Sequence, residues 1–410
     1  MTTFPLPLTE LLGQYGSYFI YLLVGVAFGV ALESAGFGNS KKLAAQFYFK
    51  DLTVFKVMFT GIIVAMTLIF LSSAIGLLDY NLIWVPPTYL WPGIVGGLIM
   101  GVGFIIGGFC PGTSLVAMAT GKIDGIFFVA GVLFGIFMFG ETVSSFAVFF
   151  ESSYMGRFTL PEFLGLSYGT VVLLVVVMAL MMFWGAEIVE GAIGGESAQK
   201  APRWGVPAAV ALVALAAVSL VIGQPQTEDR WKSIEAEKTV QLDEREVQIA
   251  PAELLSLSGD VKVKTVLLDV REERFYNQFH IQGARRLPED EIVDNARDFI
   301  FEPANTVFVV MSNDEASATE AWKALKAESV PNVYILEGGV NNWIRTYAGE
   351  EFVQNNLIRN HENDYPAWHF DAATGSRHPA AEPNPHAFEI EFEPKVKLEL
   401  KRAPSSGGCG

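Results

Sequence analysis

Residues 107–114 read GGFCPGTS and contain Cys110, one of two cysteines in a chain of 410 residues. Two glycines, a proline and two hydroxyl residues interrupt an otherwise apolar segment here. Non-helical backbone at membrane depth is tolerated only inside protein or beside a polar cavity. Pro111 suits the first turn of a helix, because an N–H at that position would have no helical partner. The pattern therefore predicts a broken helix that places a thiol in a loop before a new helix start.

A helix start after Cys110 could attract an anion. The N–H groups of Gly112, Thr113 and Ser114 are expected to be free and to point toward the loop, where they favour negative charge. Cys110 would add a soft sulfur contact. The alternative is that Cys110 is a small buried hydrophobic residue with no role, as many buried thiols are.

The loop has a counterpart 72 residues earlier in the chain. Gly36-Phe37-Gly38-Asn39-Ser40 matches Gly108-Phe109-Cys110-Pro111-Gly112, and Gly25 and Gly29 match Gly97 and Gly101. Internal repeats in membrane proteins commonly build a transport site at their interface from broken helices. Asn39 and Ser40 could cap a second short helix. Close helix packing explains the glycines at four-residue spacing equally well, but not the Gly-Phe loop in both repeats.

The elements that hold these loops are long apolar runs. Six runs are long enough to cross a bilayer: roughly 17–38, 54–78, 88–109, 124–150, 164–187 and 206–222. Carboxylates within such runs usually face a cavity or a partner, so Glu141 is a candidate for the substrate path. Glu33 could instead reach the membrane interface.

Charge separates the chain into two halves and orients the first. Eight of the 28 basic and eleven of the 44 acidic side chains precede Gln224, so the water-soluble half is strongly acidic. This argues against nucleic acid or anionic lipid as its partner. Seven basic residues lie in one set of membrane loops and only Arg157 in the other. The positive-inside rule then places the soluble half outside the cytoplasm, in a periplasm or its equivalent.

The membrane half resembles the YeeE/YedE family of bacterial membrane proteins. Its resemblance rests on LESAGFG at 32–38, FYFKD at 47–51, VFKVMFT at 54–60 and GGFCPGT at 107–113. The resemblance implies an all-helical inner-membrane fold, uptake of thiosulfate or a related sulfur anion, and path cysteines that hydrogen-bond to the substrate's terminal sulfur. Cys110 matches the signature cysteine. Family members use further path cysteines, whereas Gly38 stands opposite Cys110 here.

The soluble half resembles a rhodanese over residues 248–348. Buried strands alternate with amphipathic helices from Val266 onward, as in an α/β sheet. The family motifs are DVR at 269–271, HIQGA at 280–284 and LEGGVNNW at 336–343. The resemblance implies a nucleophilic cysteine in the loop after Val307–Val310, but Ser312 stands at that place, followed by Asn313 and Asp314. A hydroxyl cannot carry sulfane sulfur, so we expect a rhodanese fold without catalysis.

Two segments remain. Residues 225–247 are charged and are expected to form a linker or a short helix, and residues 349–410 form a tail. Alternation at 388–392 and 395–401 predicts a two-stranded β-ribbon. The chain ends in GGCG, so Cys409 is a candidate sulfur-carrying thiol; the alternatives are no role, a disulfide or a lipid anchor. Four histidines in the tail lack metal-ligand spacing, and we expect no metal and no cofactor.

Three functions are consistent with these features. The first is a transporter or facilitator for thiosulfate or a similar anion, built from an all-α membrane domain at 1–224. The second is a membrane-anchored sulfurtransferase or sulfur carrier that uses Cys409. The third is a sensor or scaffold whose rhodanese-like domain recruits a partner, for which a sulfur-carrier protein is the candidate.

Overall fold

A computed structural model describes residues 4–6, 8–83, 85–193, 205–388 and 390–398. The chain divides into two compact units, with the boundary between Gln224 and Pro225. The boundary lies where the apolar runs end. We call the two parts the helical unit and the soluble unit.

The helical unit contains ten α-helices in the described residues. They are α1 Leu8–Ser34, α2 Ser40–Ala45, α3 Thr53–Ala74, α4 Leu90–Gly107, α5 Pro111–Ala119, α6 Ile123–Thr142, α7 Ala147–Phe150, α8 Leu160–Leu164, α9 Tyr168–Ile193 and α10 Gly205–Ile222. Six stretches are long and apolar enough to cross a membrane: 11–34, 53–74, 90–119, 123–150, 168–193 and 205–222. The predicted number of spans is confirmed, and two of the stretches are each made of more than one helical segment.

Two small cores hold the helical unit together. Ile63 of α3 packs with Val172 and Val176 of α9 and with Ala216 of α10. A second core collects the loops near Cys110 and is described with the site. Most other apolar side chains of this unit are exposed, as expected for helices whose outer faces meet lipid.

The soluble unit is a parallel five-stranded sheet with helices around it. The strands are β1 Gln248–Ile249, β2 Lys264–Asp269, β3 Arg285–Arg286, β4 Thr306–Met311 and β5 Val333–Leu336, in the spatial order β1-β5-β4-β2-β3. The helices are α11 Thr227–Asp243, α12 Pro251–Gly259, α13 Glu273–Gln278, α14 Ile292–Ile300, α15 Ala316–Ala327, α16 Gly339–Tyr347 and α17 Glu350–Asn356. The predicted α/β fold is confirmed.

The central strand β4 explains where this unit places its loops. All six residues of β4 are buried, because it pairs with β2 on one side and β5 on the other. Asp269 is paired with Met311, so the carboxyl ends of β2 and β4 lie side by side. Functional loops of open parallel sheets gather at this edge.

The segment before the sheet forms the helix α11, the second of the two forms expected for it. In α11, Trp231 packs edge-on against Trp322 of α15, with ring centroids 6.2 Å apart. Arg230 forms an ion pair with Glu328. The helix therefore belongs to the soluble unit.

The β-ribbon predicted in the tail is not formed in the described residues, because 390–398 contain no strand. The backbone N–H groups of Lys395 and Val396 donate instead to Glu253 Oε1, at 2.8 and 2.9 Å. That of Lys397 donates to the hydroxyl of Tyr334. The hydrogen-bond partners of this segment are thus side chains of the folded unit; positions 389 and 399–401 of the predicted ribbon lie outside the described residues.

Candidate functional site

Cys110 caps the N-terminus of α5, with extended backbone angles (φ −92°, ψ 167°). Its Sγ accepts the Thr113 N–H at 3.4 Å and lies 3.3 Å from the Thr113 hydroxyl. The Cys110 N–H donates in turn to Thr113 Oγ1 at 2.9 Å. The predicted helix start at Pro111 is confirmed. The thiol lies at the N-terminus of α5, where a reciprocal pair of hydrogen bonds with Thr113 holds Cys110.

The expectation of free N–H groups in this first turn is wrong for two of the three residues. The Thr113 N–H is taken by the Cys110 sulfur, and the Ser114 N–H donates to the Cys110 carbonyl at 3.0 Å. The Ser114 hydroxyl donates to the Pro111 carbonyl at 2.7 Å. An anion here would therefore meet the sulfur of Cys110 as an already hydrogen-bonded group.

The matching loop of the other repeat has the same local geometry. Gly36 (φ +86°) and Gly108 (φ +70°) both end a helix in the left-handed conformation that glycine adopts without strain. The following residues, Phe37 and Phe109, are both buried and lie in one apolar cluster. Asn39 caps α2, as predicted: its Oδ1 accepts the N–H groups of the second and third residues after it.

The two loops are in direct contact. A Cβ added at Gly108 would lie 3.1 Å from the Cβ of Ser40. The Ser40 hydroxyl donates to Asp124 Oδ2 at 2.9 Å, which links α2 to the start of α6. A Cβ on Gly38 would lie 2.5 Å from Glu33 Oε2 and 2.8 Å from Lys122 Nζ. A side chain at position 38, the residue opposite Cys110 in the repeat, would therefore require the ends of Glu33 and Lys122 to shift.

Glu141 is not part of this arrangement. It is exposed near the end of α6, about 25 Å along the helix from Asp124. Of the two carboxylates considered from the sequence, Glu33 is the one near the loops, with its Oε1 3.5 Å from Lys122 Nζ. The residues around each carboxylate in the sequence do not indicate which end of a helix faces the loops.

A buried ion pair in the helical unit was missed by the sequence analysis. Glu190 of α9 is 2% exposed, and its Oε2 lies 2.7 Å from Lys56 Nζ of α3. Its Oε1 accepts the N–H of Leu52, the residue that precedes α3. A carboxylate and a lysine far apart in the chain carry no signal of pairing, so this contact needed the tertiary structure.

In the soluble unit, residues 312–315 connect β4 to α15, and Ser317 lies in the first turn of that helix. The Ser312 hydroxyl accepts the N–H of Ala318 at 3.3 Å. Gly339 (φ +58°), the first residue of α16, packs so closely on the carbonyls of this loop that any Cβ would collide with Asp314. The loop is thus held firmly at the carboxyl end of the sheet, with its backbone N–H groups available to a negatively charged group.

That group is the side chain of Asp364, from the segment after α17. Its Oδ1 accepts the N–H of Asp314 at 2.8 Å and its Oδ2 accepts the N–H of Ser317 at 2.7 Å. Burial alone would raise the pKa of Asp364, but hydrogen bonds from the Ser317 hydroxyl, from these two N–H groups and from Ser312 lower it below the usual value. Backbone N–H groups that converge in this way can bind an anion, and here the protein's own carboxylate accepts both of them.

Neighbouring contacts fix Asp364 in place. Asn313 Nδ2 donates to the Asp364 carbonyl at 2.9 Å, and the Asp364 N–H donates to Asp314 Oδ2 at 3.1 Å. Asp364 itself has φ +57°, a conformation that aspartate tolerates better than most residues. No motif in the sequence predicted a role for Asp364.

The motif residues Asp269, Arg271 and His280 make structural contacts. Arg271 binds Asp269 through two nitrogens, at 2.9 and 2.6 Å, and donates to the Phe279 carbonyl. His280 stacks on Tyr276 with ring centroids 4.0 Å apart. Among the described residues, no three His, Cys, Asp or Glu side chains are placed to hold a metal ion. Cys409 lies outside those residues.

Comparison with known families agrees with this architecture. Residues 34–240, just over half of the chain, match the family model described as "Sulphur transport". The chain belongs to the sulphur transport family. Its match includes both Gly-Phe loops, Cys110 and all of the helical unit from the end of α1 onward, and the resemblance to YeeE/YedE proteins is confirmed.

The soluble unit of this sulphur transport protein has its own match. Residues 250–346 fit the rhodanese-like domain model. A curated relative, the thiosulfate sulfurtransferase GlpE of Pseudomonas entomophila (strain L48), is 29% identical over 103 residues, which is 25% of this chain and 89% of that protein. The chain is therefore a sulfur-related membrane protein with a rhodanese-like domain.

Proposed function

We propose that this protein moves thiosulfate or a related sulfur-containing anion across the bacterial inner membrane, along a path that passes Cys110. One observation carries the proposal: the paired Gly-Phe loops meet where the Cys110 sulfur stands at the start of α5. Membership of the sulphur transport family supports it. The candidate path residues are those of the two contacting loops, namely Gly36, Gly38, Asn39, Ser40, Gly108, Cys110, Pro111, Gly112, Thr113 and Ser114.

Cys110 would bind the terminal sulfur of the anion through its S–H. Its Sγ already accepts the Thr113 N–H, which orients the thiol and leaves its hydrogen for the substrate. Glu141 is left out of the proposed path because of its distance along α6.

The rhodanese-like domain is proposed to be non-catalytic. Residues 225–404 contain no cysteine, so a persulfide cannot form on this domain. Asp364 also accepts the N–H groups at which an anionic substrate would bind. The domain would then bind a partner, for which a sulfur-carrier protein is the candidate, or present substrate on the periplasmic side that the loop charges favour.

Uptake of ³⁵S-thiosulfate into proteoliposomes tests the transport role. We expect Cys110→Ala to abolish uptake and Cys110→Ser to retain a small part of it, since a hydroxyl keeps a donor but is a poorer partner for sulfur. The matched control is Cys409→Ser, the other thiol of the chain, which should transport normally. Normal uptake by Cys110→Ala would refute the role of this residue.

A membrane-anchored sulfurtransferase is the second candidate, favoured by the similarity of the soluble unit to a thiosulfate sulfurtransferase. This function would require Cys409 to accept sulfur in place of a loop cysteine. The full chain would then transfer sulfur from thiosulfate to cyanide, and deletion of residues 405–410 would remove the activity. Absence of transfer by the intact chain would exclude this function.

A further inference from the structure

A cavity of about 320 Å³ lies in the soluble unit, at the end of the sheet opposite the 312–315 loop. Asn332 and Val333, at the amino end of β5, line this cavity, whereas the loop follows the carboxyl end of the parallel strand β4. The volume is within the range of small-molecule sites, roughly 300–1,000 Å³. The cavity is therefore separate from the loop at which a rhodanese would place its catalytic cysteine.

Four lysines from three separate segments line this cavity. The set combines one residue of α11, one in the last turn of α15 and two of the tail: Lys238, Lys326, Lys395 and Lys397. Among the described residues that line the cavity, Glu246 is the only one with a carboxylate side chain. Acidic side chains outnumber basic ones in the soluble unit as a whole. The cavity thus concentrates positive charge in an acidic unit, and chain folding brings this charge together from distant parts of the sequence.

Hydrogen bonds fix the tail segment that carries two of these lysines. The Lys397 N–H donates to the Tyr334 hydroxyl at 2.9 Å, and this hydroxyl donates to the Lys397 carbonyl at 3.1 Å. The Lys395 N–H donates to Glu253 Oε1 at 2.8 Å, and Lys395 Nζ donates to the Gln248 carbonyl at 2.9 Å. The tail therefore forms a fixed wall of the cavity.

Contacts within the protein leave ammonium hydrogens for a ligand. An ammonium group has three N–H donors, and Lys395 uses one of them on a backbone carbonyl. Neither Lys395 nor Lys397 forms an ion pair with another described residue. Lys238 Nζ lies 3.1 Å from Glu237 Oε1, but this carboxylate is exposed and solvent screens the attraction. A lysine such as Lys326 can also stabilise the end of its own helix, a role that the two lysines of the tail do not have.

We infer that this cavity binds a small molecule that carries a pyrophosphate group, such as a nucleoside diphosphate. Two linked phosphates carry about three negative charges near neutral pH, because the terminal phosphate has a second pKa near 6. Four ammonium groups and a single carboxylate match this charge. Lysine binds phosphate as a point charge, whereas a planar carboxylate is bound best by the paired donors of arginine, and no arginine is among the described residues that line the cavity. The acidic surface around the cavity disfavours a long polyanion such as nucleic acid.

Isothermal titration calorimetry of the full chain in dodecyl maltoside, a detergent without phosphate, tests this inference at low salt. We expect ADP and inorganic pyrophosphate to bind at one site per chain. Inorganic phosphate should bind roughly tenfold or more weakly, because it loses the charged hydrogen bonds of one phosphate, and adenosine should not bind. Absence of binding by both ADP and pyrophosphate would overturn the inference. Equal affinity for thiosulfate or for tetraglutamate would overturn the assignment to pyrophosphate, since the cavity would then accept any anion.

Variants locate the binding in the cavity. Lys397→Gln retains the backbone contacts of the tail and should weaken ADP binding roughly tenfold to a hundredfold, the range for loss of a charged hydrogen-bond partner. Lys238→Gln, on α11, should act in the same direction and serves as the test if the first variant does not fold. Lys262→Gln is the matched control and should bind ADP like wild type, because Lys262 is exposed and does not line the cavity. Binding of ADP that is unchanged in both cavity variants would overturn the inference.

Discussion

Replacement of Asp364 by asparagine tests whether its carboxylate, which binds the N–H groups of Asp314 and Ser317, stabilises the soluble unit. Asparagine has nearly the same shape and also tolerates the left-handed backbone at this position, so the change removes charge and one acceptor with little strain. The two backbone donors lie on different carboxylate oxygens, the Asp314 N–H on Oδ1 and the Ser317 N–H on Oδ2. An asparagine side chain can accept only one of them.

The magnitude follows from these two hydrogen bonds. The N–H that then faces the amide NH₂ loses its partner, at about 1–3 kcal/mol, and the other changes from a charged to a neutral acceptor, at about 1 kcal/mol. Asp364 is only half-buried, so solvent screens part of the charge, and its removal also relieves a desolvation cost. We expect Asp364→Asn to lower the free energy of unfolding by about 2 kcal/mol at pH 7.

This difference should depend on pH. The pKa of Asp364 is lowered in the folded state, so its contribution is fully present above the pKa of an unfolded aspartate, about 4. As the pH falls through that value and then through the lower folded pKa, the folded carboxylate takes up a proton and the contribution is lost. Wild type and Asp364→Asn should therefore converge in stability toward pH 3.

Urea unfolding of residues 225–398, followed by tryptophan fluorescence, measures both effects. The core of this unit contains no side chain from before Trp231, so the segment can be studied separately. Trp368 reports on the site, because its indole N–H donates to the carbonyl of Asn341, whose side chain binds Asp314. Asp371→Asn, at a side chain that is 98% exposed, is the control and should change stability by less than about 0.5 kcal/mol. Equal stability of Asp364→Asn and wild type at pH 7, or a difference that persists unchanged to pH 3, would refute the reasoning.

Two predictions concern the helical unit. Glu190→Gln should leave the Lys56 ammonium without its counter-charge and destabilise the unit by about 3 kcal/mol, measured by thermal unfolding in detergent. The double variant Lys56→Met, Glu190→Leu removes both charges and should recover much of this loss. No recovery in the double variant would contradict the explanation by a paired charge. Gly108→Ala should reduce thiosulfate uptake. An alanine at φ +70° raises the free energy of the folded state by about 1–2 kcal/mol, and its Cβ crowds Ser40. Gly97→Ala is the control and should transport normally, because there is open space around its Cβ. Equal uptake by the two alanine variants would count against close contact between the loops.

Much of the helical unit could be predicted from the sequence because its signals are local. A run of about 20 apolar residues must satisfy its backbone as a helix in a bilayer, so the number of spans follows from hydropathy. The helix start at Pro111 follows in the same way from the fixed φ of proline. The Gly-Phe repeat predicted both loops, because the left-handed conformation at Gly36 and Gly108 favours glycine at each position.

The sequence by itself determined the two units, the helix breaks and the position of Cys110, because each depends on neighbours a few residues apart. Only the tertiary structure decided which groups share a site. It brought Gly108 into contact with Ser40 and showed that Glu33, rather than Glu141, lies near the loops. It also paired Glu190 with Lys56 and bound Asp364 to the segment that follows β4. These contacts join residues that are distant in the chain, and their energies depend on burial and hydrogen-bond direction, which appear only when the helices and the sheet have packed.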